Sequence, residues 1–476
     1  MARTENPTIS PLEWLAGRRT FVHGLAIASL AAITACSTLP KIVPDMATQT
    51  SRPVSLAGAH GPLAPGKSKS LLERLEQGGE ATGIFDRHLA REEAIVGSPM
   101  VVGNRATLLK DGPATFARMF AAIEGARHHI DMETYIIEDD ALGNRFADAL
   151  IRKRHEGVEV NLIYDSVGSI NTSDAFFARL IDAGVRVLEF NPVSPVTARK
   201  GWDVNHRDHR KLLIVDGATA FVGGINISGV YSGSSFRKPA QSRPKTGLPW
   251  RDTHVKIEGP VVAAFQKLFL ATWQKQGGEQ LPARKPVAPR GSAGGDVVHA
   301  IGSSPDEPFS LIYATLISAI GSAETSVHLT NAYFVPDPQL LAALADAVKR
   351  GVDVAIILPS VTDSALVFHA GRSFYTELLR IGVRILERKD ALLHAKTAIV
   401  DGVWSTIGST NLDWRSFLHN DEVNAVILGA GFAAQMEAMF VADEAASTAI
   451  TLDRWEKRSV GERIKERFAR LWAYWL

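Results

Sequence analysis

Two stretches of the chain carry one set of reactive residues at one spacing. His209 is followed by Lys211, Asp216, Gly223 and Asn226, and His394 is followed by Lys396, Asp401, Gly408 and Asn411. A single HxKxxxxD is a weak signal, whereas two copies in register through five positions are not an accident of composition. An imidazole can attack a phosphorus atom or move a proton, and an ammonium and an amide can hold phosphoryl oxygens. Two imidazoles are enough for a nucleophile and a separate general acid acting on a phosphodiester. No thiolate or carboxylate cluster with metal-ligand spacing accompanies them, so the positive charge must come from the lysines; no metal and no cofactor is expected.

The elements that position these groups can be read around them. After each Lys an apolar run, Leu212 to Val215 and Thr397 to Val400, predicts a strand that ends at an Asp-Gly turn. Side chains two apart on a strand share a face, so His209 projects with Lys211 and His394 with Lys396. Asp216 and Asp401 complete the signature and are counted with its catalytic residues, but their place on the turn points to a structural role. Each Gly lets the backbone come close three residues before Asn226 or Asn411. The repetition extends to whole halves: HHIDMETYII (128–137) matches SVHLTNAYFV (326–335), GVEVNLIYD (157–165) matches GVDVAIILPS (351–360), and GVRVLEF (184–190) matches GVRILER (382–388). These β-rich runs alternate with helical patterns, which predicts an α/β unit present twice. Asp252 and Glu422, each seven residues before a Gly, align downstream of the two signatures. They are the candidates to hydrogen-bond the second ring nitrogen of the histidines and fix the tautomer. Glu133, aligned with Asn331, either reaches the site or packs.

The duplicated signature with its G-x-x-N resembles the phospholipase D superfamily over roughly residues 96 to 450. NHRDHRKLLIVDG (205–217), FVGGINIS (221–228) and GSTNLDWRS (408–416) look most like bacterial cardiolipin synthases. The resemblance implies two pseudo-twofold-related α/β halves, each a mixed β-sheet flanked by helices, with the active site between them. It implies further that His209 attacks and becomes phosphohistidine, that His394 protonates the leaving alcohol, and that Lys211, Lys396, Asn226 and Asn411 hold the phosphoryl oxygens. Phosphatidyl transfer between phospholipids is the activity expected, from phosphatidylglycerol and possibly phosphatidylethanolamine. Hydrolysis by the same intermediate, or cleavage of another phosphodiester such as a nucleic acid, would use the same residues.

Composition and termini bear on that choice. The 476 residues are 46% hydrophobic and 22% charged, which suits a large globular enzyme. Residues 1–35 hold three Arg and two Glu, so the remainder of a chain of net charge +1 is neutral and lacks the basic excess common in nucleic-acid binders. No nucleic acid is expected as a partner; phospholipids and a membrane surface are. Arg18, Arg19 and Phe21 followed by an apolar stretch to Ala35 resemble an export signal, and small residues before Cys36, the only cysteine, resemble a lipoprotein lipobox. A lipid-anchored protein of the bacterial envelope facing the periplasm is expected, with Ser37 favouring the outer membrane. The expected organisation is a signal peptide (1–35), a tether and lead-in (36–95), a first half (96–280), a linker (281–298), a second half (299–450) and a C-terminal amphipathic helix (451–476). Residues 229–249 form a basic insertion without a counterpart. In the last helix Ile464, Phe468, Leu471, Trp472 and Trp475 recur at helical spacing; they are expected to pack on the protein's own core, with a lipid interface as the alternative.

Overall fold

Each half is built around the strand that carries its histidine motif. The computed structural model describes residues 53–78, 82–193, 203–233, 248–282 and 293–476. Lys211–Val215 and Lys396–Val400 are buried along their whole length, and so read as unbroken apolar runs rather than alternating ones. In the first half the strands are ordered Arg186–Phe190, Glu159–Asp165, His129–Thr134, Lys211–Val215, Thr219–Gly223, Thr253–Glu258 and Met100–Lys110. The second half repeats the order with Arg384–Arg388, Asp353–Pro359, Ser326–Asn331, Lys396–Val400, Trp404–Gly408, Asn420–Leu428 and Asp296–Ser303. The first three strands of each set are parallel, which requires crossover connections, and helices Ala141–His155 and Asp174–Asp182 supply them in the first half. Asp140 and Ser173 cap the starts of these helices by accepting backbone N–H bonds. Two mixed sheets flanked by helices, as expected, result.

The sheets are continuous through one strand. Met100–Lys110 pairs with Thr253–Glu258 along its second part and with Asp296–Ser303 near its start. Between the halves lies a shared core in which Leu212, Ile214, Val222 and Val255 of the first meet Ile399, Ile407, Val423 and Ile427 of the second. Two short parallel ladders also cross from half to half: Arg207–Asp208 pairs with Asn420 and Asp421, and Trp250–Arg251 pairs with Leu392–Leu393.

Three expectations about the flanks need correction. The stretch expected to be a tether is folded from Leu56 onward: Leu56–Gly58 pairs in parallel with Met100 and Val101, and Pro65 starts a helix running to Gln77. Leu56, Ile84 and Leu89 are buried in the second half's core, because the apolar residues scattered through this Pro- and Gly-rich sequence have a surface to meet. The linker expected to run to residue 298 ends earlier, since Asp296 already pairs in the sheet. Lastly, the C-terminal helix turns its apolar residues to solvent instead of onto the core: Ile464, Phe468, Leu471, Trp472 and Trp475 are all exposed, while Glu466 and Ala469 face inward. The signal segment with Cys36, the first part of the tether, most of the basic insertion and part of the linker lie outside the described residues. No helix among the described residues is long and apolar enough to cross a membrane.

Candidate active site

The short inter-half ladders determine how the site is assembled. The backbone N–H of His209 donates to the carbonyl of Asp421 at 2.9 Å, which brings the next side chain, Glu422, to the imidazole. His209 Nδ1 lies 3.0 and 3.1 Å from the two Glu422 oxygens. In the same way the N–H of His394 donates to the carbonyl of Arg251 at 2.7 Å, and Asp252 Oδ2 lies 2.8 Å from His394 Nδ1. The pairing is therefore crossed: the carboxylate of each half holds the histidine of the other. With Nδ1–H donated to a carboxylate, Nε2 of each ring carries the lone pair.

All these groups are buried, and burial dominates their titration. It pushes His209 down to about 4 against the opposing pull of Glu422, so the ring is neutral at pH 7. His394 is lowered as well, by burial and by the Lys396 ammonium. Burial works to raise the Asp252 and Glu422 carboxyls, but the bonds and charges of their histidine and lysine neighbours hold both below the usual carboxylate range. Lys211 is pushed down to about 7 and Lys396 to about 8, chiefly by burial. Each Lys donates to the carbonyl of its own His, at 2.6 Å in both halves. Lys396 Nζ is 3.0 Å from both ring nitrogens of His394, a position against the ring rather than a bond to one nitrogen. An arriving phosphodiester anion would favour the charged forms of both lysines and raise the proton affinity of both rings.

Asn226 and Asn411 are buried beside the motif. The Asn226 amide donates to Tyr231 Oη at 3.2 Å, and the side-chain oxygen of Asn411 has no hydrogen-bond partner among the described residues. The close approach expected at the glycines is present: a Cβ at Gly408 would stand 1.9 Å from the Asn424 side chain, and one at Gly223 2.5 Å from His254. The two signature aspartates are not at the site. Their turns place them roughly 20 Å along the strand from the histidines. There Asp216 accepts the backbone N–H groups of Arg127, His128 and His129, and Asp401 those of Glu324, Thr325 and Ser326. Asp216 and Asp401 therefore do not belong with the catalytic residues; they tie the motif strand to the start of its neighbour. Glu133 sits behind the site, buried, with Arg210 at 3.7 Å.

Several neighbours escaped the sequence reading. Tyr135 meets His209 edge-on at 5.1 Å between ring centroids, and its repeat counterpart Tyr333 meets His394 at 6.3 Å. Their shared place in the aligned segments 128–137 and 326–335 was a usable signal. Tyr231, whose hydroxyl is 3.2 Å from His394 Nδ1, and Trp250, 5.3 Å from that ring, have no counterparts. Ser409 donates to Glu422; at the matching Gly224 a Cβ would stand 2.3 Å from Asp252, so the two carboxylates are seated differently. No group of three or more His, Cys, Asp or Glu that could hold a metal ion occurs among the described residues.

A duplicated α/β unit with paired His-Lys motifs at the interface defines a phospholipase D-like protein. The fold is shared with the crystal structure of phosphatidylserine synthase from Haemophilus influenzae, with a TM-score of 0.60 at 14% identity over 81% of this chain and 98% of that one. Residues 119–232 and 316–443 match the family described as cardiolipin synthase, PLD-like domain. A cardiolipin synthase of Alkalihalophilus pseudofirmus is 36% identical over 377 residues, 79% of this chain and 73% of that protein. Cardiolipin synthase 2 of Bacillus anthracis is 37% identical over 366 residues, 76% and 69% of the two chains. The chain belongs to the cardiolipin synthase family of phospholipase D-like proteins.

Proposed function

We propose that this protein makes cardiolipin by transferring a phosphatidyl group from one phospholipid to another through a phosphohistidine at His209. The observation that carries the reading is the crossed pair of His–carboxylate contacts, which leaves two Nε2 atoms available for separate tasks. His209 Nε2 attacks phosphorus, the bond from phosphorus to the head-group oxygen breaks, and His394, which takes a proton on Nε2 when the phosphodiester anion binds beside it, gives that oxygen its proton. The hydroxyl of a second phospholipid then gives a proton to His394 and attacks phosphorus, and the P–N bond breaks to free His209. Lys211, Lys396, Asn226 and Asn411 hold the non-bridging oxygens as charge builds on them. Tyr231, bonded to both Asn226 and His394, is suited to keep the acid–base ring oriented.

With phosphatidylglycerol as both donor and acceptor, the products are cardiolipin and glycerol. The relatives' names support cardiolipin as the product, and the balanced charge of the chain after residue 35 disfavours a nucleic acid. We further place the enzyme on the bacterial envelope, anchored by lipid at Cys36 and facing the periplasm, with the outer membrane favoured by Ser37. Purified protein should convert phosphatidylglycerol, alone and mixed with phosphatidylethanolamine, to cardiolipin identifiable by mass spectrometry. Phosphatidic acid as the sole product would replace transfer by hydrolysis.

A further inference from the structure

The last helix is amphipathic with its faces reversed. Val460–Arg470 forms a helix that runs on into a turn at Ala473–Trp475. At about 100° per residue, Val460, Ile464, Phe468 and Leu471 fall on one stripe, which Trp472 and Trp475 extend. Ile464, Phe468, Leu471 and Trp475 are 61, 59, 72 and 63% exposed. The opposite face is fixed to the protein by polar contacts. Arg458 grips the buried Glu466 at 2.9 Å, and Arg470 lies over the Phe374 ring at 4.2 Å, within 3.6 Å of Glu377. Turning the stripe inward would break these contacts and expose a buried carboxylate, so the helix is held with its apolar side out.

The charges beside the stripe indicate what covers it. Arg463 and Arg467 flank it on one edge and Lys465 on the other, all exposed. Of the nearby carboxylates, Glu456 pairs with Arg380 at 2.8 Å and Asp453 with Lys457 at 3.3 Å, and Glu462 lies on the side of the helix away from the stripe. Cations along both edges would repel the same stripe on a second copy, but they match anionic head groups, and tryptophans belong at the level of those groups. The helix also packs on Ala365–Arg372, where Leu366 is exposed, next to a turn with exposed Val361. In that turn Asp363 accepts the hydroxyl of Tyr333, which stands edge-on to His394.

We propose that the C-terminal helix lies in the plane of an anionic phospholipid surface, its stripe among the acyl chains and its cations at the head groups, so that the His394 side of the site is set against that surface. The orientation of the site rests on the phospholipid reading given above; the docking of the helix does not.

The test uses the full chain carrying Cys36→Ala, which cannot be lipidated at that position, and vesicles of phosphatidylglycerol with phosphatidylethanolamine or of phosphatidylcholine alone. Ile464→Glu with Phe468→Glu should lower vesicle partitioning about tenfold or more. Arg463→Gln with Arg467→Gln should remove the preference for phosphatidylglycerol vesicles and its salt sensitivity. Turnover of a short-chain, monomeric phosphatidylglycerol should be unchanged in both variants, which also certifies folding; Trp472→Ala with Trp475→Ala offers a second route if the Glu pair does not fold. Partitioning of the Glu pair equal to its parent would overturn the proposal, as when residues 25–35 alone hold the chain to vesicles. So would a parent that dimerises through this face and a Glu pair that is monomeric yet still binds. Failure of phospholipid turnover in the parent would sink the functional reading while leaving partitioning measurable.

Discussion

The crossed carboxylates can be separated by their effects on the two half-reactions. Glu422→Gln removes a charge from the ring of His209, where the contacts are 3.0 and 3.1 Å, and keeps the side chain's size. Asp252→Asn does the same at 2.8 Å from His394. Loss of a hydrogen bond to a charged group is worth about 1.5–3 kcal/mol, or about 10- to 150-fold in rate. Should the Gln amide turn its NH₂ toward Nδ1, the ring must carry its proton on Nε2, and the loss can reach about 10⁴-fold. The assay is single-turnover release of nitrophenolate from a phosphatidyl nitrophenyl diester, with phosphohistidine quantified in the quenched protein. Nitrophenolate departs without a proton, so Asp252→Asn should release it at nearly the parent rate and accumulate the adduct, although it fails with phosphatidylglycerol. Glu422→Gln should be slow with both substrates. Given the crossed contacts, the reverse pattern, Asp252→Asn slow and Glu422→Gln fast on the nitrophenyl diester, would refute the assignment of nucleophile and acid.

Other expectations are simpler to test. His209 at about 4 and the fully buried His254 at about 3 both lie below the unfolded value near 6.5, so the unfolded chain takes up protons first as the pH falls. Each should cost about 2 kcal/mol of stability between pH 7.5 and 5, but Glu133 and Asp413, raised to about 7 by burial, gain stability in the same window, so the effect is read against a variant: the parent's urea midpoint relative to that of His254→Gln should fall as the pH falls, and a difference that does not change with pH would contradict it. Asp401→Ala strands several backbone N–H groups and should cost about 2 kcal/mol or more, seen as a lower Tm, whereas a loss of turnover at unchanged Tm would return this residue to the chemistry. Activity should survive strong chelation, and loss restored by one particular metal would overturn the lysine-based mechanism. Cys36→Ala should abolish labelling of the protein by a metabolically supplied fatty acid; persistent label would remove the anchor.

The candidate groups were legible because duplication marks them: His209 and His394, with their lysines and asparagines, stand at equal offsets, and the structure gathers the two histidines with their lysines between the halves. The same duplication pointed to Asp252 and Glu422, but not to which histidine each serves. That choice depends on the two-residue ladders between halves, and contacts so far apart in the chain leave no periodicity to read. Tyr231 and Trp250 were missed for the opposite reason, since they occur in one half only. The apolar spacing of Ile464, Phe468 and Leu471 was plain, whereas the direction it faces was not. The seating of Ala469 in the core and of Arg470 over the Phe374 ring settled that, and spacing alone carries no record of such contacts.

The exchange of carboxylates between the halves has a consequence for descent. A duplicated gene is usually free to let one copy drift, because the other still does the work. Here neither copy has that freedom: a lapse at Glu422 disables the imidazole of the first motif, and a lapse at Asp252 disables that of the second. Selection therefore acts on the two copies as on partners in a symmetric dimer that happen to share one peptide chain. Severed between the halves, each fragment would keep its histidine and lose that histidine's carboxylate, and only co-expression would restore both.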